Sequence, residues 1–238
     1  MCTAHLVDSE SKQVPRFVSS CLTALSAVIT NSSVRFGNQF AGHIDKLIDL
    51  IICSDYLQSD NIEVLDRVLK ITNNMVFAAG KSYCKPRRHS FFKILLQLGS
   101  NQQMQYAIKD VDKCLELLAT NCGLGDASDL FSQELENMLK ELREDFELWT
   151  KHTPERFIFD MLVRRANTAV VDYWDEILEI VANCMEREKD YELRMDMIAL
   201  IEHFLKTESL HSTIVFYSEI ILKMVLVPSF AWSTGIPS

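Results

Sequence analysis

Six histidines and seven cysteines are the side chains in this sequence best suited to metal or nucleophilic chemistry. The nearest combinations are Cys84 with His89, Cys114 with Cys122, and His203 with His211. A structural zinc site needs closely spaced ligand pairs, and a helical metalloprotease needs two histidines four apart; these combinations have neither spacing. Nucleophilic catalysis needs a serine on a strained turn or a thiolate beside a base, and no GxSxG is present. The cysteines (Cys2, Cys21, Cys53, Cys84, Cys114, Cys122 and Cys184) are odd in number, lack a CxxC and mostly fall in apolar stripes. They read as small buried hydrophobes in a reducing compartment. The two glycines of "NCGLGD", 121 to 126, follow no strand and precede no GK[ST], so a helix C-cap and turn account for them better than a phosphate loop. These readings assign no catalytic, cofactor-binding or metal-ligating residue and no cofactor, and the expectation is a protein that is not an enzyme.

Charge narrows the partners. A net charge of -9 argues against a broad nucleic-acid footprint, which needs clustered Lys and Arg on one face. One basic cluster exists, Lys81, Lys85, Arg87, Arg88 and His89 around Pro86, and its place between two periodic segments predicts a solvated loop. No apolar run is long enough to cross a membrane, and the N-terminus has no basic segment leading into an apolar one. The expected compartment is therefore the cytoplasm, where the sequon Asn31-Ser32-Ser33 would be inert. Proteins, rather than nucleic acid, membrane or a small-molecule substrate, are the expected partners.

The elements that would carry such a surface are helices. Strand signals are nearly absent, and 7 Gly and 5 Pro leave little material for turns. One apolar stripe runs Phe131, Leu135, Met138, Leu139, Leu142, Phe146 and Trp149, with Glu134, Glu136, Lys140, Glu141, Arg143 and Glu144 opposite. A second runs Val170, Trp174, Ile177, Leu178, Val181 and Met185. Periodicity predicts helices near 14–30, 39–57, 61–80, 86–98, 101–121, 128–149, 154–164, 169–186, 189–207 and 210–227. Residues 1–13 are expected to be a flexible N-terminus and 228–238 an irregular tail. Asp60 with Glu63 and Ser100 with Gln103 have capping-box spacing, and Thr153-Pro154-Glu155 puts a hydroxyl, a proline and an acid in the order a helix start favours.

Short connections force antiparallel neighbours, and alternate helix starts lie about 44 residues apart on average, within the range of two-helix repeat units. A single compact helical bundle, serving as an adaptor or regulatory domain, is the alternative with the same helices. Asp190 and Arg194 matter most to the choice. On a wheel of 100° per residue they fall within the apolar arc of Leu193, Met197, Ile198, Leu200, Ile201, Phe204 and Leu205, while Glu192, Asp196, Glu202, His203 and Lys206 face away. Charges placed inward must pair with each other or bridge to another element. The preceding Cys184 to Lys189 predicts a tight corner with solvated charges.

"DYELRMDMIALIEHF", with Asp190, Arg194, Ile198 and Ile201, resembles the second helix of a HEAT repeat. The resemblance implies that Asp190 and Arg194 form a structural inter-repeat pair. It also implies an all-α, right-handed α-solenoid of HEAT-like antiparallel helix pairs over 14–227. The final third, from "WTKHTPERFIFDMLV" to "LVPSFAW", is similar to the C-terminal part of the HEAT-repeat axonemal dynein assembly factors. That likeness implies a cytoplasmic scaffold for pre-assembly of dynein arms, with dynein chains, other assembly factors and chaperones as partners, and a longer array of which this chain is part. It assigns no residue to partner binding.

Overall fold

The structure is a computed structural model describing residues 20, 23–24, 27–29, 45–52, 55–186 and 188–227. The expected segments 1–13 and 228–238, and most of the helix expected at 14–30, lie outside the described residues, as do Cys2, Cys21, Cys53 and the sequon. All regular structure among the described residues is helical. After a helical stretch at 45–52 and a 3-10 turn at Asp55–Gln58 come α1 (Ile62–Cys84), α2 (Arg88–Ser100), α3 (Ile108–Cys122) and α4 (Ala127–Leu142). Then follow α5 (Glu155–Arg165), α6 (Trp174–Cys184), α7 (Tyr191–Lys206) and α8 (His211–Ile221), the last continuing as a π turn over Leu222–Leu226.

Side chains set several of these boundaries. Asn61, not Asp60, caps α1, its Oδ1 accepting from the Glu63 and Val64 N–H groups at 3.0 and 3.3 Å. Asn101, not Ser100, caps the next start, accepting from Gln103 N–H at 2.9 Å, while the Ser100 hydroxyl donates back to the Gln97 carbonyl. That start is a 3-10 segment, Gln102–Ala107, which leads into α3. Thr153 directs its hydroxyl backwards to accept from Thr150 N–H at 2.9 Å, so Pro154 begins α5 without the expected side-chain cap. Gly123, at φ 80° and ψ 27°, ends α3, and its N–H and that of Leu124 return to the last-turn carbonyls.

The stripe expected to run as one helix to Trp149 is broken. Asp145, at φ -144° and ψ 19°, interrupts it, and Phe146–Leu148 form a 3-10 turn. Phe146 and Trp149 are still buried, Trp149 meeting Phe159 edge-on at 5.8 Å. Apolar spacing reports which residues go inward, and a change of helix type can preserve that while ending the α-helix. Val170 likewise reaches the core from a 3-10 segment, Asn167–Tyr173, ahead of α6. Glu134, expected on the polar side of α4, is buried. It lies between Phe131 and Met138, three and four residues away on the inward face, and accepts from Asn137 Nδ2 at 3.5 Å.

The chain divides into two compact units, Met1–Leu130 and Phe131–Ser238. In the first, α1 packs on both α2 and α3, and α2 packs on α3. In the second, α7 packs on α5, α6 and α8. In the first unit each of these three helices thus meets both of the others, and in the second α7 meets the helices on either side of it and α5 two places back. The polar links have the same range. In the first unit Tyr83 and Asp45 are 38 residues apart, Asn101 and Leu57 44, and Asn121 and Val76 45. In the second, Ser132 and Ala166 are 34 apart, Tyr173 and Glu136 37, Lys151 and Asp190 39, and Arg156 and Asp196 40.

Within α1, Gly80 adopts φ 62° and ψ -171°, a region open to glycine alone, and bends the helix there. The Val76 carbonyl one turn earlier accepts from Asn121 Nδ2 at 2.9 Å and from the Cys84 thiol at 3.5 Å, so the bend is held from two sides. A Cβ on Gly80 would meet nothing within 4 Å, which leaves backbone strain as the cost of substitution. Gly80→Ala should therefore lower unfolding free energy by about 1–3 kcal/mol with an unchanged urea m-value.

Candidate protein-binding surface and its polar framework

Among the described residues no group of His, Cys, Asp and Glu is placed to hold a metal ion, and no helix is long and apolar enough to cross a membrane. Cys84, Cys114, Cys122 and Cys184 are buried free thiols. Burial pushes the thiol of Cys84 up to about 11 and those of Cys114 and Cys184 up to about 12, so they are held as neutral apolar groups.

The basic cluster is helical instead of forming the expected loop. Lys81 and Cys84 lie on the turn beyond Gly80, Lys85–Arg87 form a 3-10 turn, and Arg88 begins α2. Proline causes no break because it occupies the first turn of a new segment, where its missing N–H is not needed. Arg87 is committed inside the unit: it pairs with Asp45 and lies 3.8 Å from the centroid of the Tyr83 ring. The Arg87 guanidinium holds the Asp45 carboxyl below its ordinary value, while burial and the Asp45 bond push the Tyr83 phenol up. Lys81 and Lys85 remain exposed.

Asp190 and Arg194 open α7 and are both half-buried. The Asp190 carboxylate accepts from the backbone N–H of Lys151 at 2.8 Å, and the backbone N–H of Arg194 donates to the Asp190 carbonyl at 3.1 Å as the first turn of the helix. Neighbouring residues strengthen this junction. Lys189 donates to the Glu147 and Trp149 carbonyls, and Lys151 Nζ lies 3.6 Å from Glu192. Lys189 is thus part of a corner-to-corner link, not a solvated charge. The signal for it was its position 40 residues after Trp149, the same offset as Lys151 to Asp190 within one residue.

Asp196 was expected to face solvent. It pairs instead with Arg156 of α5, a residue only 8% exposed whose guanidinium also lies 4.1 Å from the Phe157 ring centroid. Burial lifts the Asp196 carboxyl above its ordinary value, with the nearby Arg156 charge pulling it back down and Asp160 adding repulsion. Such a pair returns part of the desolvation cost and fixes which surfaces meet; it adds little net stability. Helix α7 therefore touches neighbours over a wider arc than its apolar stripe spans.

Large apolar side chains that remain exposed gather on α8, where Phe216 is 81% and Val215 73% exposed. Only Ile214 and Ile221 of that helix are buried. Elsewhere Phe77, Tyr106 and Leu148 stand apart on different elements and form no such run.

Among the described residues the elements are helices joined by short connections, an all-α arrangement. No protein-family model matches the chain, and no solved structure matches it. It is 22% identical over 125 residues to human dynein axonemal assembly factor 5, a match covering 51% of this chain and 15% of that protein. It is 19% identical over 198 residues to the Xenopus laevis protein of the same name, covering 81% of this chain and 24% of that protein. The chain therefore spans less than a quarter of the length of these curated relatives, and the likeness is a distant one.

Two stability outcomes follow from this framework. Asp190→Ala removes the acceptor for Lys151 N–H and should cost about 1–2 kcal/mol in urea unfolding, while Asp190→Asn, which keeps an oxygen there, should cost less. For the second pair, Arg156→Met and Asp196→Leu should each cost about 1–3 kcal/mol, and the double variant clearly less than their sum, as a double-mutant cycle would record.

Proposed function

We propose that this chain is a segment of a HEAT-like, right-handed α-solenoid that acts as a non-enzymatic, cytoplasmic scaffold in the pre-assembly of axonemal dynein arms. The observation that carries the architecture is the range of the polar links between elements, 34 to 45 residues over the two units taken together. In a repeat array each helix pair touches only the pairs before and after it, so links of about one repeat length are the expected signature. Asp190 and Lys189 fit the inter-repeat role because both reach the preceding corner. The likeness to the two assembly factors supplies the biological setting.

A scaffold of this kind works by geometry. Stacked pairs present a long face, and a few anchoring side chains on it supply most of the affinity for a large partner. Dynein chains, other assembly factors and chaperones are the partners this reading implies.

Two measurements test it. Small-angle scattering should give a radius of gyration well above the roughly 18 Å of a compact domain of this length; agreement with the compact value would reject the array. Affinity purification from ciliating cells should recover axonemal dynein chains or their co-chaperones, and their absence would reject the assembly role.

A further inference from the structure

Helix α8 buries a narrow seam and leaves a side uncovered. Phe216, Tyr217 and Ile220 form a stripe on that side at helical spacing, with Phe216 81% and Ile220 42% exposed. Phe216 packs edge-on against Tyr217 at 5.1 Å between centroids, and Tyr217 lies against the buried Trp174 at 6.1 Å. An aromatic anchor is thus held in place from beneath while its outer face meets water.

The border of this stripe is strongly acidic. Tyr217 donates its O–H to Asp175, and Glu176 lies close enough to act on the same phenol. On the 3-10 segment before α6, Tyr173 donates to Glu136 of α4 at 3.4 Å, with Asp172 and Glu176 close by. The carboxylates of Glu136, Asp172, Asp175 and Glu176 are therefore gathered around these two phenols from three elements of the second unit, α4, the Asn167–Tyr173 segment and α6. None of the four has a Lys or Arg partner among the described residues, in contrast to Glu179 one turn on, which Arg143 neutralises. Both phenols titrate above their ordinary value, through partial burial first and then through these carboxylates.

An apolar stripe edged by unneutralised carboxylates selects its occupant by charge. Another copy of this chain, with its net charge of -9, would be repelled. We propose that the α8 stripe and its acidic border are a docking surface for a lysine- and arginine-rich segment of a partner protein, whose apolar side chain packs on Phe216 and Ile220 while its cations face Asp175, Glu176 and Asp172. The inference rests on the scaffold reading and adds to it where, and what kind of, a segment binds.

The test uses the full chain and a short fluorescein-labelled peptide in which lysine and arginine alternate with leucine and tryptophan, followed by fluorescence anisotropy. Phe216→Ser and the pair Asp175→Asn with Glu176→Gln should each weaken binding about tenfold or more. The pair Glu186→Gln with Glu188→Gln removes equal charge from an exposed corner of the same unit and should leave binding unchanged. Circular dichroism melts establish that each variant folds. Failure of the unaltered chain to bind, or equal weakening by both charge-removing pairs, would overturn the proposal. So would a concentration-dependent dimer abolished by Phe216→Ser, or binding that appears only after deletion of residues 228–238. If the α8 variants recover dynein chains from ciliating cells as well as the unaltered chain does, this docking surface is wrong and the scaffold reading stands. If the peptide results hold but no dynein chain is recovered by any form, the assembly role is wrong and the surface stands.

Discussion

In the first unit α1 is covered by both α2 and α3, and in the second α7 is covered by α5, α6 and α8, which places a demand on the corners that join these helices: they must meet in register. Side chains at the corners enforce this by bonding to backbone groups. Asn101 Nδ2 reaches the Leu57 carbonyl at 3.2 Å, Asp190 receives the Lys151 N–H, and Lys189 reaches the carbonyls of Glu147 and Trp149. Backbone groups at helix ends lack partners within their own helix, so a bond to them from a later corner removes a cost and sets a position together. Apolar packing supplies the driving force between helices but tolerates sliding, whereas these bonds do not.

The polar face of the second unit answers a different demand. Charges that join helices are compensated locally, as Arg156 is by Asp196 and Arg143 by Glu179. The carboxylates around Tyr173 and Tyr217 have no such cation beside them, and they act instead on the two phenols, adding to the rise that burial begins. On the proposed reading, the same two unit types of interaction therefore divide the labour: compensated charges hold the framework, and uncompensated ones are left facing outward.

Much of the fold was legible because the apolar stripes have long, clean periods. The helix class and the turn at Gly123 could be read from spacing and glycine placement, whereas the helix expected to end at residue 80 bends at Gly80 and continues to Cys84. Local boundaries were less legible, since adjacent polar residues compete for the cap: Asp60 and Asn61, or Ser100 and Asn101, have similar chemistry, and backbone direction decides which one points inward. The polar contacts were hardest. Asp196 lies outside the apolar arc by wheel position, yet Arg156, 40 residues earlier, draws it in, while Glu134 goes inward beside Phe131 and Met138 on its own helix. The acidic border beside the α8 stripe was illegible because its four carboxylates come from three other elements, and no single helical wheel contains them.

The short range of these links bears on how the chain is made. A corner at residue 101 finds its partner at 57, and one at 190 finds its partner at 151, so the loop that must close is modest each time. Closure entropy is then small at every step, and the mean sequence separation of contacts stays low, the condition under which folding is fast. Synthesis delivers the N-terminal member of every link first. Within a unit, each newly made helix therefore meets an earlier one that is already present, and structure can grow there at the pace of translation.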